Sequence, residues 1–158
     1  MAEILIIGIG NPIRGDDGLG WAVVNVLAEQ FSDPGFGFMQ VQQLTMDLVE
    51  PIAEARFVIF IDARLGSSPG QIEQIEIEAS TSIDAPITHF FDPQTLLAAI
   101  QALYGCHPAA ALFTIQCSSF EYTEQLSPPT RAAIPDLIHQ LEAILVVNHM
   151  LPTQTELA

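Results

Sequence analysis

Residues 4–20 constrain this chain most: Ile4-Leu5-Ile6-Ile7-Gly8-Ile9 is an apolar, largely β-branched run, and it breaks into a glycine-rich turn that closes on the adjacent carboxylates Asp16 and Asp17. A run of that kind is the pattern of a strand buried on both faces, as in parallel sheets covered by helices. Leu19, Val23, Val26, Leu27 and Phe31 then recur with helical spacing. Strand, loop and helix at the outset direct the chain toward α/β architectures.

The loop is not a phosphate cradle. A glycine-rich turn between strand and helix normally offers backbone N–H groups and a helix N-terminus to an anion, and paired acids repel one. The dinucleotide fingerprint fails on spacing, because Gly8 and Gly10 are followed by Ile13 rather than a third glycine. A Walker loop needs a lysine, and the chain has none. Carboxylates at this point suit a metal ion, water or a cationic group. The simplest role for either acid is to cap the following helix and favour its dipole.

The remaining segments alternate in type. Residues 36–43 read as a second strand, and Met46 to Glu54 as a short helix opened by Thr45. Arg56-Phe57-Val58-Ile59-Phe60-Ile61-Asp62-Ala63 is a second buried strand with an acid at its carboxyl end, where ligands of open α/β sheets gather. Gln71 to Ile77 alternates apolar with polar, which predicts an edge strand with solvated glutamates. Asp92-Pro93 supplies a cap and first-turn proline for a helix stopping near Gly105. Ala110 to Cys117 holds a further apolar strand, and Ser127-Pro128-Pro129 opens a last helix striped by Ile134, Leu137, Ile138, Leu141, Ile144 and Leu145. The expected fold is a three-layer α/β sandwich: a mostly parallel twisted sheet flanked by helices, with one antiparallel edge strand. Residues 1–149 are expected to form one domain and 150–158 a flexible tail.

Composition excludes several classes. The 158 residues suffice for one domain that buries about two-thirds of its unfolded surface. Four arginines and no lysine against 19 acids give a net charge of −15, which opposes nucleic acid and anionic membranes as partners. Cys106 and Cys117 form no CxxC pair, the first residues lack the positive charge of a signal peptide, and no apolar stretch is long enough to span a bilayer. The expected location is the cytoplasm.

Right-handed crossovers bring the carboxyl ends of parallel strands to one edge of the sheet, so Asp16, Asp17 and Asp62 are expected to meet there. Of the four histidines, His139 and His149 fall in or beside the last helix and read as surface or packing residues. His107 follows a helix and belongs to the opposite edge. His89, in the loop before Asp92-Pro93, is placed at the same edge as the acids. Two carboxylates and an imidazole make a mixed oxygen and nitrogen set with open positions, suited to nickel, zinc, manganese or iron. A metal held there would polarise a carbonyl or lower the pKa of a bound water. Cys117-Ser118-Ser119 lacks a nucleophile elbow, and adjacency alone does not make Cys106 and His107 a dyad, so buried, inert cysteine is the expectation.

The pattern GxGNxxxxDDGxG from Gly8 to Gly20, the strand Val58-Ile59-Phe60-Ile61-Asp62-Ala63, Thr88-His89 ahead of Leu96-Leu97, and the helix start Leu126-Ser127-Pro128 resemble the hydrogenase maturation proteases. These endopeptidases trim the C-terminal extension of nickel-iron hydrogenase large subunits. The resemblance covers roughly residues 3–147. It implies an aspartic-type processing endopeptidase whose metal-contacting and catalytic positions are Asp17, Asp62 and His89. It also implies nickel that arrives with the substrate rather than as a resident cofactor, and a large-subunit precursor as the partner. Asp17 is one methylene shorter than the Glu often found at its position, and Cys117 to Gln125 departs from the expected glycine- and proline-containing stretch. The alternative from a different class is a non-enzymatic binding module on a flavodoxin-like sheet, a chaperone that checks the metal without cutting.

Overall fold

A computed structural model of the chain describes residues 2–79 and 91–149. The predicted buried runs become the centre of a five-stranded sheet. Strand β1 (Ile4–Ile9) is buried at every position and is followed by helix α1 (Leu19–Gln30). Strand β2 (Phe36–Val41), helix α2 (Val49–Glu54), strand β3 (Phe57–Leu65) and strand β4 (Ile72–Ile77) follow. Helix α3 (Pro93–Tyr104), strand β5 (Ala109–Cys117) and helix α4 (Pro128–His149) complete the described chain. The order across the sheet is β2-β1-β3-β5-β4, with β4 antiparallel to β5 and every other pair parallel.

Both faces are covered, which is why the central strands are apolar throughout. On one face Ile4, Ile6, Ile59, Ile61, Phe113 and Ile115 pack against Leu19, Val23 and Leu27 of α1 and Leu137, Leu141 and Leu145 of α4. On the other, Leu5, Ile7, Val58 and Phe60 pack against Val49 and Ile52 of α2 and Leu96, Leu97 and Ile100 of α3. The result is the expected three-layer α/β sandwich with one antiparallel edge strand.

Local differences have physical causes. The helix expected over Met46 to Glu54 is a 3-10 turn at Met46–Leu48 running into α2, and the Thr45 hydroxyl bonds the Asp47 carboxylate instead of capping the backbone. Strand β3 continues past Asp62 to Leu65, because β5 stays paired with it as far as Leu65 opposite Cys117. Asp92 caps α3 as expected, accepting the Thr95 N–H at 2.7 Å. Among the described residues, no helix is long and apolar enough to cross a membrane. The tail 150–158 lies outside the described residues.

Candidate active site

Strand β1 parts from β3 after Gly8, which faces Ile61, while Ile9 still pairs with Val41 of β2. Asp62 is the next residue on β3. Here β1 has β2 on one side and β3 on the other, so successive crossovers diverge and leave a crevice at the carboxyl edge, the usual ligand position in open α/β sheets.

The glycines of the loop let this crevice be tight. A Cβ on Gly20 would lie 2.6 Å from the Ile61 carbonyl oxygen, so α1 begins directly against β3. Gly10 has φ +140°, and a Cβ there would sit 1.8 Å from the Asp17 carbonyl oxygen. The turn thus folds Asp17 back over the end of β1, where its Oδ2 accepts the Asn11 N–H at 2.9 Å.

The adjacent acid faces elsewhere. Asp16 is 3% exposed and caps neither the 3-10 turn Gly15–Gly18 nor α1. Its Oδ1 accepts the Ser127 N–H at 2.7 Å and its Oδ2 the Ser127 hydroxyl at 2.6 Å. The capping expected of Asp16 is therefore corrected: it ties the first loop to the residue preceding α4. Local sequence suggests a cap on the following helix, but Ser127 lies far along the chain and supplies two donors at once.

Asp62 is partly buried, and its Oδ1 accepts the Ala63 N–H at 2.8 Å. Burial pushes its carboxyl up from 3.8 to about 7; the Ala63 hydrogen bond opposes this, and the negative charge of Asp17 adds to it. Asp17, from the 3-10 turn after β1, and Asp62, from β3, therefore form an interacting acidic pair. Such perturbation in a cleft is a mark of functional carboxylates.

A cleft of about 440 Å³ opens beside Asp62. Ile9, Leu44, Phe91 and Pro93 give it apolar walls, and Gln42, Gln43 and Asp92 a polar margin. Phe91 donates its N–H to the Leu44 carbonyl at 3.1 Å, which joins the loop after β2 to the start of α3. His89 lies outside the described residues, two positions before Phe91 in the chain. Gln42, Gln43 and Leu44 carried no motif; their only signal was a loop following a parallel strand, hence at this edge.

The other candidates stay away from the crevice. His107 is exposed just before β5, at the opposite edge, with Nδ1 2.9 Å from the Pro108 carbonyl oxygen. His139 is exposed on α4. Cys117 is fully buried with its thiol pushed up by burial, as befits an inert cysteine, and Cys106 is an exposed free thiol. Among the described residues no three metal-ligating side chains cluster. The pair itself nonetheless suits a cation, because a positive ion would offset both the burial and the repulsion that disfavour an ionised Asp62.

The profile of one family, HycI, hydrogenase maturation protease, matches residues 21–144. The chain belongs to the hydrogenase maturation protease family. Solved structures agree in fold. The hydrogenase maturating endopeptidase HybD from E. coli superposes with a TM-score of 0.75 at 22% identity, over 94% of each chain. The [NiFe] hydrogenase maturation protease HycI from Thermococcus kodakarensis gives 0.72 at 26% identity, over 91% of this chain and 92% of that one. No curated protein matches. The family match begins after the acidic loop, so Asp17 lies outside it and Asp62 within it.

Proposed function

We propose that this protein is the endopeptidase that removes the C-terminal extension of a nickel-iron hydrogenase large-subunit precursor after nickel loading, reading the substrate's nickel through Asp17, Asp62 and His89. The observation that carries this reading is the buried Asp62 at the sheet's crevice with the charge of Asp17 acting on it, in a member of a maturation protease family. Two acids without a third described ligand make a weak trap for a free ion and leave positions open to groups from a second molecule.

The substrate's nickel supplies Lewis acidity at the bond to be cut. Asp62 contributes a carboxylate that is poorly solvated until a cation meets it, and Asp17 contributes the second charge. The apolar cleft beside them is of a size to hold a few side chains of a bound segment. Asp16 keeps the loop in place through Ser127. We assign the reaction to the cytoplasm, where two free thiols suit a reducing environment.

The test is to incubate the purified protein with candidate precursors, each with and without nickel, and weigh the products by mass spectrometry. Only nickel-loaded precursor should be shortened, and Asp17→Ala, Asp62→Ala and His89→Ala should each abolish shortening. Unimpaired processing by all three variants would sink the assignment. Binding without shortening is the result expected of a metal-checking chaperone.

A further inference from the structure

We propose that Thr114 of β5 is a positioning residue for Asp62: when the site is engaged, its hydroxyl donates to the Asp62 carboxylate and holds it toward the crevice. The inference rests on the proposed function, and it begins from the sheet register. Asp62 on β3, Thr114 on β5 and Glu73 on β4 are Cα partners in one row across the sheet. Partners in register point to the same face. Ala110 and Leu112, in phase with Thr114, pack on the α2 and α3 side, so Asp62 and Thr114 stand side by side on that face.

Thr114 is 5% exposed, and its Oγ1 has no hydrogen-bond partner among the described residues. Buried hydroxyls nearly always have one. Valine has the same shape and suits a strand at least as well, so packing alone gives no reason for a hydroxyl here. Of the two acids flanking Thr114, Glu73 is already engaged: its Oε1 accepts from Gln116 Nε2 at 2.8 Å and its Oε2 from Arg64 Nη1 at 3.1 Å. Both donors lie two residues beyond the row of Asp62 and Thr114, as register partners on β3 and β5, and they occupy both oxygens of Glu73. Asp62 has its Oδ1 on the Ala63 N–H, and among the described residues its Oδ2 has no donor, which leaves it as an acceptor for Thr114. Neighbouring strands run about 4.8 Å apart, so a turn about the Thr114 side-chain bond brings the hydroxyl within reach. A donor to a ligating carboxylate fixes its orientation, as outer partners of metal ligands do.

The experiment uses the full chain as wild type, Thr114→Val and Thr114→Ser. Precursor processing is followed kinetically, and Tm is measured with and without Ni²⁺. Thr114→Val should lower kcat/KM by about 10–100-fold while its Tm without metal stays equal or rises, since a buried unpaired hydroxyl has been removed. Thr114→Ser, which keeps the donor, should restore most of the activity. The Ni²⁺-induced rise in Tm should shrink in Thr114→Val and persist in Thr114→Ser. Undiminished processing by Thr114→Val overturns the inference, as does a Tm loss that tracks the activity loss without rescue by serine. If wild type fails to cut any loaded precursor, the proposed function falls, and the Ni²⁺ shift alone decides Thr114: equal shifts in wild type and Thr114→Val overturn its role.

Discussion

Truncating Asp16 to alanine removes the acceptor of both the Ser127 amide and the Ser127 hydroxyl beneath the start of α4. Leaving such donors unpaired costs about 1–3 kcal/mol, and each kcal/mol lowers Tm by about 2–4 °C in a chain of this size. Asp16→Ala should therefore melt measurably lower than Asp17→Ala, although only Asp17 is a proposed contact to substrate. Asp62 predicts the opposite sign. Its carboxyl keeps a proton up to about 7 in the folded protein, against 3.8 ordinarily, so between those values the folded state binds more protons than the unfolded one. Stability is thus lost as pH rises from 3.8 to about 7, and the penalty persists above. Asp62→Asn should be more stable than wild type by about 2–4 kcal/mol near pH 8 and equal to it near pH 3.5, as read from urea melts at both pH values. An unchanged difference across that range would contradict the assigned burial of Asp62.

Helix α1 acts on the site through where it begins. Gly20 allows its first turn to rest on the Ile61 carbonyl and on Ile9, immediately before Asp62. Gly20→Ala forces α1 outward and should cost about 1–3 kcal/mol, with processing falling further than the stability loss explains, because the Asp17 loop moves with the helix. Thermal melts and processing rates on the same preparation check this. At α3, capping and entry were readable in Asp92-Pro93, since a cap is a contact within one turn of chain. The full extent of β3 was not, because its last residues are strand only through pairing with β5. The cap expected of Asp16 is absent for the same reason: its partner Ser127 belongs to another part of the chain.

Across the whole molecule the formal net charge is −15. Such a charge favours a precursor that presents a basic surface at low salt. Raising salt from ~0.01 M to ~0.1 M shortens the Debye length from about 30 to about 10 Å, so kcat/KM for precursor processing should fall. Tm should rise as self-repulsion is screened. A kcat/KM insensitive to salt would mean that the partner surface carries no complementary charge.

The order of strands and helices, the parallel centre and the antiparallel edge could all be read from the chain, because hydrophobic period, caps and breakers are properties of neighbouring residues. Topology then required Asp17 and Asp62 to lie at one edge. That they interact, that Asp16 instead secures Ser127, and that Thr114, beside Asp62, has no hydrogen-bond partner among the described residues depend on loop closure and strand register. Those are set by packing between distant segments, and a residue's local pattern holds no record of the partner that folding brings to it.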